Sequence, residues 1–132
     1  KGFEFLKYIL PGFNFIYVDR EGNNFIPILK AEADLLRQGK SLVIFPEGNR
    51  SSTGNLGALR TGAAFLAKNL KVKLLPVTIR GTFDILPRTK KFPKLFVRTP
   101  GKLVVHDYLY PQPEETIDAL TARIGAAISR DE

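Results

Sequence analysis

Leu42-Val43-Ile44-Phe45-Pro46-Glu47-Gly48-Asn49-Arg50-Ser51-Ser52-Thr53-Gly54 is the stretch on which the reading of this chain turns. Its first four residues form a continuous apolar run, the pattern of a strand covered on both faces. The run stops at a proline, which fixes φ and removes a backbone donor, so the chain leaves the sheet there. Gly48 lets the backbone bend and approach a ligand closely. Arg50 presents planar, bidentate donors matched to phosphate oxygens. Ser51, Ser52 and Thr53 add hydroxyls able to cap a following helix, whose N-terminus itself favours an anion. Glu47 can orient Arg50 or accept a hydrogen bond from a hydroxyl. The set suits a phosphorylated polyol. On residue types alone it reads as readily as a surface strand-to-helix turn with a structural Glu–Arg pair.

On either side of this stretch the chain alternates between two kinds of pattern. Upstream, Phe15-Ile16-Tyr17-Val18 reads as a strand running into Asp19-Arg20. A helix is predicted over 24–38, capped by Asn24, tolerating Pro27 in its first turn, stopped by Gly39, and burying Ile28, Leu29, Leu35 and Leu36. Downstream, a helix over 56–70 would turn Leu59, Ala63, Phe65, Leu66 and Leu70 inward, and 74–79 reads as a second buried strand. The segment 82–100 is broken by Pro87, Pro93 and Pro100, and 102–109 reads as a strand. The last helix opens at Pro113, with Glu114 and Glu115 at its positive end and Ile117, Leu120, Ile124 and Ile128 on one face. Strand and helix in alternation imply an α/β fold, a mostly parallel sheet flanked by helices, in one domain over 1–132. In such sheets ligands sit beyond the carboxyl ends of the strands, where Asp19-Arg20 and Glu47-Gly48-Asn49-Arg50 both fall.

Composition narrows the class. The chain has 132 residues, 44% of them hydrophobic and 25% charged, which suits one globular domain rather than a disordered segment. With 0 Cys it has no disulfide, thiolate metal site or cysteine nucleophile, and it suits a reducing compartment. No acid and histidine cluster has metal-ligand spacing. The net charge of +7 favours anionic partners. Between Arg60 and Lys102 the only acid is Asp84, so this stretch is either a solvated basic face or a surface facing a ligand or membrane. It carries no recognisable nucleic-acid motif, and none of its apolar stretches is long enough to span a bilayer. The chain opens at Lys1 with no Met anywhere, as expected of a piece cut from something longer.

Three blocks together resemble the 1-acylglycerol-3-phosphate acyltransferase superfamily. Phe45 to Arg50 resembles its F-P-E-G-T-R block, with Asn49 in place of threonine. Gly12 to Arg20 resembles a second block, a glycine followed by an apolar strand ending in Asp-Arg. Val72-Lys73-Leu74-Leu75-Pro76-Val77 resembles a fourth, with Lys73 in place of a common proline. The resemblance implies a glycerol-3-phosphate acyltransferase-like fold, truncated at its N-terminal end. It implies transfer of a fatty acyl group from acyl-CoA or acyl carrier protein to the hydroxyl of a lysophosphatidic-acid-like acceptor. Carried over to this sequence, it assigns acceptor phosphate binding to Arg20 and Arg50, with Glu47, Gly48, Asn49 and Ser51 shaping the pocket. It implies no metal or prosthetic group, since the thioester donor is already activated, and peripheral association with the cytoplasmic face of a membrane. Phe3, Phe5, Leu6, Phe92, Leu95 and Phe96 are candidates for that contact, and no nucleic-acid partner is expected.

The family's catalytic H-x-x-x-x-D block, in which the His is general base to the acceptor hydroxyl, has no counterpart here. His106 is the only histidine, the residue at the required offset is Pro111, and Asp107 would point to the opposite strand face. His106 therefore reads as a strand-surface residue. Ser51 and Ser52 have no second histidine to activate them. The rival reading is a non-catalytic basic module for anionic lipid or nucleic acid. The acyltransferase reading predicts that residues 1–132 alone do not turn over, since binding groups without a general base leave the chemistry undone. A radiolabelled acyl-transfer assay checks this.

Overall fold

The computed structural model describes residues 26–86 and 101–129. The longer helices form where apolar residues recur on one stripe. α1 is Ile26–Arg37 and takes in Pro27 near its start. Ala33 is buried, and Leu29, Leu35 and Leu36 are half-buried, as the stripe requires; the Ile28 side chain and Asn24 lie outside the described residues. Gly39 ends the helix at φ 77°, with its N–H donating to Leu36 O at 3.0 Å. Only glycine adopts that left-handed conformation without cost.

α2 is Gly62–Leu70, six residues shorter at its start than the predicted 56–70. The backbone N–H groups of Gly57 and Arg60 are drawn to acceptors in the turn at 46–47, which keeps 56–60 out of the helix. Consequently Ser51, Ser52 and Thr53 cap no helix; the cap residue is Thr61, whose side chain makes no capping bond. Ala63, Ala64, Leu66 and Ala67 are buried, whereas Phe65, expected inward, is 40% exposed. At about 100° per residue the four buried positions fall on one side of the helix and Phe65 falls on the opposite side. Lys71 ends α2 at φ 53°, and its N–H and that of Val72 return to Ala67 O and its neighbour.

The expected strand at 42–45 has no strand partner among the described residues, and Val43 and Phe45 are exposed. An apolar run reports a preference for burial, but a strand exists only where a neighbour completes the hydrogen-bond ladder. The described sheet is instead a pair, β1 (Val77–Arg80) and β2 (Lys102–Val105), antiparallel with Val77 opposite Val105 and Arg80 opposite Lys102. The mostly parallel sheet expected from the alternation is thus absent among the described residues. A parallel pair needs a crossover on one sheet face, and between these strands the only described helix is the four-residue α3 (Thr82–Ile85). β1 also starts later than the predicted 74–79, because Pro76 has no N–H to donate. Upstream of it the pairing shrinks to a single bridge, Leu74 with Leu109, and Pro76 O accepts from His106 N at 3.0 Å.

α4 (Ile117–Ile128) begins after Thr116, whose Oγ1 accepts from Ala119 N at 3.1 Å. The start predicted at Pro113 is therefore four residues early, since Thr116 supplies a side-chain cap that proline lacks. Leu120 and Ile124 are buried and Ile117 and Ile128 half-buried, as the spacing requires. The core is the seam between α2 and α4, Ala64 and Ala67 against Leu120 and Ile124, closed at its rim by Leu59, Val72, Leu74, Leu109 and Ile117. Lys68 Nζ ties the seam to the turn before α4 by donating to Pro113 O and Glu115 O. Thr78 ties β1 to the far end of α4, its hydroxyl donating to Ile128 O at 2.8 Å. His106 Nε2 lies 2.8 Å from the same hydroxyl oxygen. With the hydroxyl proton committed to the carbonyl, Nε2 carries the hydrogen of that contact. His106 is half-buried, beyond the end of β2, and serves as a brace.

Glu115, whose side chain is 8% exposed, did not become a first-turn acid of α4. Both its carboxylate oxygens accept from Arg123 at 2.8 Å. That bond, aided by Gln112 N–H and by the charges of Arg123 and Lys68, holds the Glu115 carboxyl below its usual range despite the opposing effect of burial. A carboxylate whose pKa is lower folded than unfolded stabilises the fold above its unfolded pKa, and that stabilisation fades as pH falls through the folded value. Urea denaturation across the acid range should therefore show wild-type stability dropping on acidification. Glu115→Gln should be less stable at neutral pH and lose part of that slope.

Candidate functional site

The segment from Pro46 to Arg60 is a loop closed at its base by two hydrogen bonds. Arg60 N–H donates to Pro46 O at 2.8 Å, and Gly57 N–H donates to Glu47 Oε2 at 2.7 Å. Glu47 is half-buried, and its carboxylate takes up this backbone donor. Gly57 stands so close that a Cβ there would lie 3.1 Å from Glu47 Oε2. The bend that begins the loop is Gly48, at φ 70°, with its N–H donating to Phe45 O at 2.9 Å. A side chain at Gly48 is opposed twice, by the left-handed backbone and by Arg60, whose Nε would sit 2.7 Å from the added Cβ.

The tip of the loop is organised by Ser51. Its Oγ accepts from Thr53 N at 3.2 Å and Gly54 N at 2.9 Å and lies 2.8 Å from Asn55 O, to which the hydroxyl donates. The Ser51 hydroxyl thus folds the turn at the loop tip. Gly54, at φ 92°, lies under the Phe83 ring of α3, with its Cβ position 3.3 Å from the ring edge. Arg50 Nη1 is 3.5 Å from Leu86 O just beyond α3. The residues after β1 therefore form one wall of the loop.

Inside the loop is an open hollow of about 200 Å³ bordered by Glu47, Asn49, Arg50, Ser51, Ser52, Thr53, Asn55, Leu56, Gly57 and Ala58. Four sequence-singled residues, Glu47, Asn49, Arg50 and Ser51, meet there, and Gly48 makes the bend between them. Arg20 lies outside the described residues. What the arrangement offers is one guanidinium, several hydroxyl and amide groups and a backbone bent to admit a ligand, a set suited to binding an oxyanion. Among the described residues that border it there is no histidine, and His106 is engaged with Thr78. Among the described residues no cluster of His, Cys, Asp and Glu could hold a metal ion.

Sequence reasoning passed over Arg60, noted only as the first cation of the basic stretch. Its guanidinium root covers Gly48. Nothing in the sequence signals that Arg60 returns to the bend twelve residues before it; the bond from its N–H to Pro46 O brings it back.

Residues 2–80 match the family model described as Acyltransferase. The chain belongs to the Acyltransferase family. Over 62 residues it is 40% identical to a chloroplastic 1-acyl-sn-glycerol-3-phosphate acyltransferase of Arabidopsis thaliana, covering 47% of this chain and 17% of that protein. Over 80 residues it is 30% identical to a probable 1-acyl-sn-glycerol-3-phosphate acyltransferase of Mycoplasma pneumoniae, covering 60% of this chain and 30% of the relative. The fold matches the crystal structure of the 1-acyl-sn-glycerophosphate (LPA) acyltransferase PlsC from Thermotoga maritima, with TM-score 0.68 and 25% identity over 77% of this chain and 41% of that one. This acyltransferase chain thus spans less than half the length of each of these proteins.

Gly48→Ala should cost about 1–2 kcal/mol in denaturant unfolding, from the positive φ and the displacement of Arg60. Gly39→Ala, also at positive φ but with open space around it, should cost about 1 kcal/mol and serves as the control.

Proposed function

We propose that this chain is the acceptor-binding side of a 1-acylglycerol-3-phosphate acyltransferase, with the loop from Pro46 to Arg60 receiving the phosphate of a lysophosphatidic-acid-like acceptor. The observation that carries the reading is the closed loop with Arg50 on its hollow. The relatives' names and the family match support the reaction class.

In the proposed reaction the acceptor hydroxyl attacks the carbonyl carbon of an acyl thioester, from acyl-CoA or acyl carrier protein. The new ester C–O bond forms, the C–S bond breaks, the thiol leaves, and the hydroxyl proton passes to a general base. The residues here take no part in the proton transfer. Arg50 provides charge-assisted donors that hold the phosphate, and the bend at Gly48 allows the backbone to come close to it. Holding the phosphate fixes the distance from the loop to the reacting hydroxyl, which is how remote binding contributes to rate. The reaction draws on no metal or prosthetic group, and nucleic acid is not a partner.

We place this activity at the cytoplasmic face of a membrane, where a lysophospholipid resides. No described helix is long and apolar enough to cross a membrane. Exposed Val43 and Phe45, on the approach to the loop, are suited to contact with the acyl region of a lipid.

Binding of glycerol 3-phosphate, followed by 31P NMR, tests the reading. Arg50→Ala should weaken it about tenfold or more while leaving salt-sensitive binding to anionic vesicles nearly unchanged. An equal loss on neutralising any two lysines between Lys71 and Lys102 would instead favour a diffuse basic surface.

A further inference from the structure

Among the described residues Arg60 is the cation that folding returns to the start of the loop, and none of them pairs with its charge. Its backbone is fixed by the bond from Arg60 N to Pro46 O. Its side chain then runs back across the bend, so that a Cβ on Gly48 would meet its Nε at 2.7 Å, its Cδ at 3.1 Å and its Cζ at 3.4 Å. The guanidinium thus starts from directly above Gly48, whose neighbours Glu47 and Asn49 both border the hollow. Glu47 would be the natural counter-charge. Its Oε2 receives Gly57 N–H instead, and no ion pair joins it to Arg60. Among the described residues the Arg60 guanidinium has neither a hydrogen-bond nor an ion-pair partner. Between Glu47 and Arg60 the only other charged residue is Arg50, so the loop carries two cations and one acid already engaged by the backbone.

We infer that Arg60 is a second phosphate-binding residue of this loop, placed over the Gly48 bend to meet the dianionic form of a phosphate monoester that Arg50 holds from within the hollow. The inference rests on the reading of the loop as an anion site. A phosphate monoester takes its second charge near pH 6, in the physiological range. One guanidinium balances the monoanion, and a second one nearby adds most to binding of the dianion. The absence of a side chain at Gly48 then has a purpose beyond its φ, because a methyl group there would push the second guanidinium off the bend.

The test is glycerol 3-phosphate binding by 31P NMR from pH 5 to 8, with excess glycerol added as an uncharged competitor that should displace none of it. Arg60→Met keeps most of the stem over Gly48 and removes the charge. It should weaken binding about tenfold above pH 7, the loss expected for one charge-assisted hydrogen bond, and less at pH 5. The rise in affinity through the second ionisation should flatten accordingly, with thermal unfolding unchanged. Arg60→Lys should restore part of the affinity and the pH dependence. A packing role alone would leave the pH profile in place, so a steep profile in Arg60→Met overturns the inference even if the variant melts early. If Arg60→Met binds as the wild type does while Arg50→Ala fails to bind, Arg60 is no ligand and the loop reading survives. If the wild type itself ignores glycerol 3-phosphate across this range, both readings fall.

Discussion

A single carboxylate taking up a single backbone donor determines the shape of the functional region. Glu47 Oε2 receives the N–H of Gly57, and with Arg60 N on Pro46 O this joins the two ends of a loop that would otherwise continue into α2. A hydrogen bond from a backbone N–H to a carboxylate oxygen is stronger than one between neutral groups. The bond delays the helix to Gly62, opens the hollow at Asn49 to Ala58, and lays Arg60 over Gly48. Ser51 then folds the tip with a hydroxyl that both donates and accepts. The loop is built from polar bonds to its own backbone.

The scaffold under this loop is small. Its buried centre is mostly alanine on α2 against Leu120 and Ile124 on α4, which lets the two helices approach closely but buries little apolar area per residue. Polar ties supplement it: Lys68 to the turn before α4, Glu115 to Arg123, and Thr78 to Ile128 O with His106 behind. One face of the β1–β2 pair presents Val77, Ile79, Leu103 and Val105 to solvent.

The helices were legible because their apolar spacing is long and regular. In α4 the stripe Ile117, Leu120, Ile124 and Ile128 leaves one orientation open, and α1 ended at Gly39 as its stop signal implies. Starts were less legible. Pro113 and Leu56 both look like acceptable openings, yet one lost to a better side-chain cap at Thr116 and the other to the tertiary bonds at Gly57 and Arg60. The strands misled most. Leu42 to Phe45 has the composition of a buried strand without a described partner, and β1 with β2 pairs antiparallel where alternation suggested parallel. Pairing is a property of two segments, and composition belongs to one.

By itself, the amino-acid sequence determined where the helical stripes lie, that the chain must bend at Gly48, and that residues with anion-binding chemistry gather between Glu47 and Ser51. Periodicity and backbone allowance are local, so they can be read one segment at a time. The tertiary structure alone decided that Glu47 clamps the loop, that Ser51 folds its tip rather than capping a helix, and that Arg60 lies over the bend at Gly48. Each of these is a contest for a hydrogen-bonding group between acceptors far apart in sequence, and its outcome exists only once the chain has brought them together.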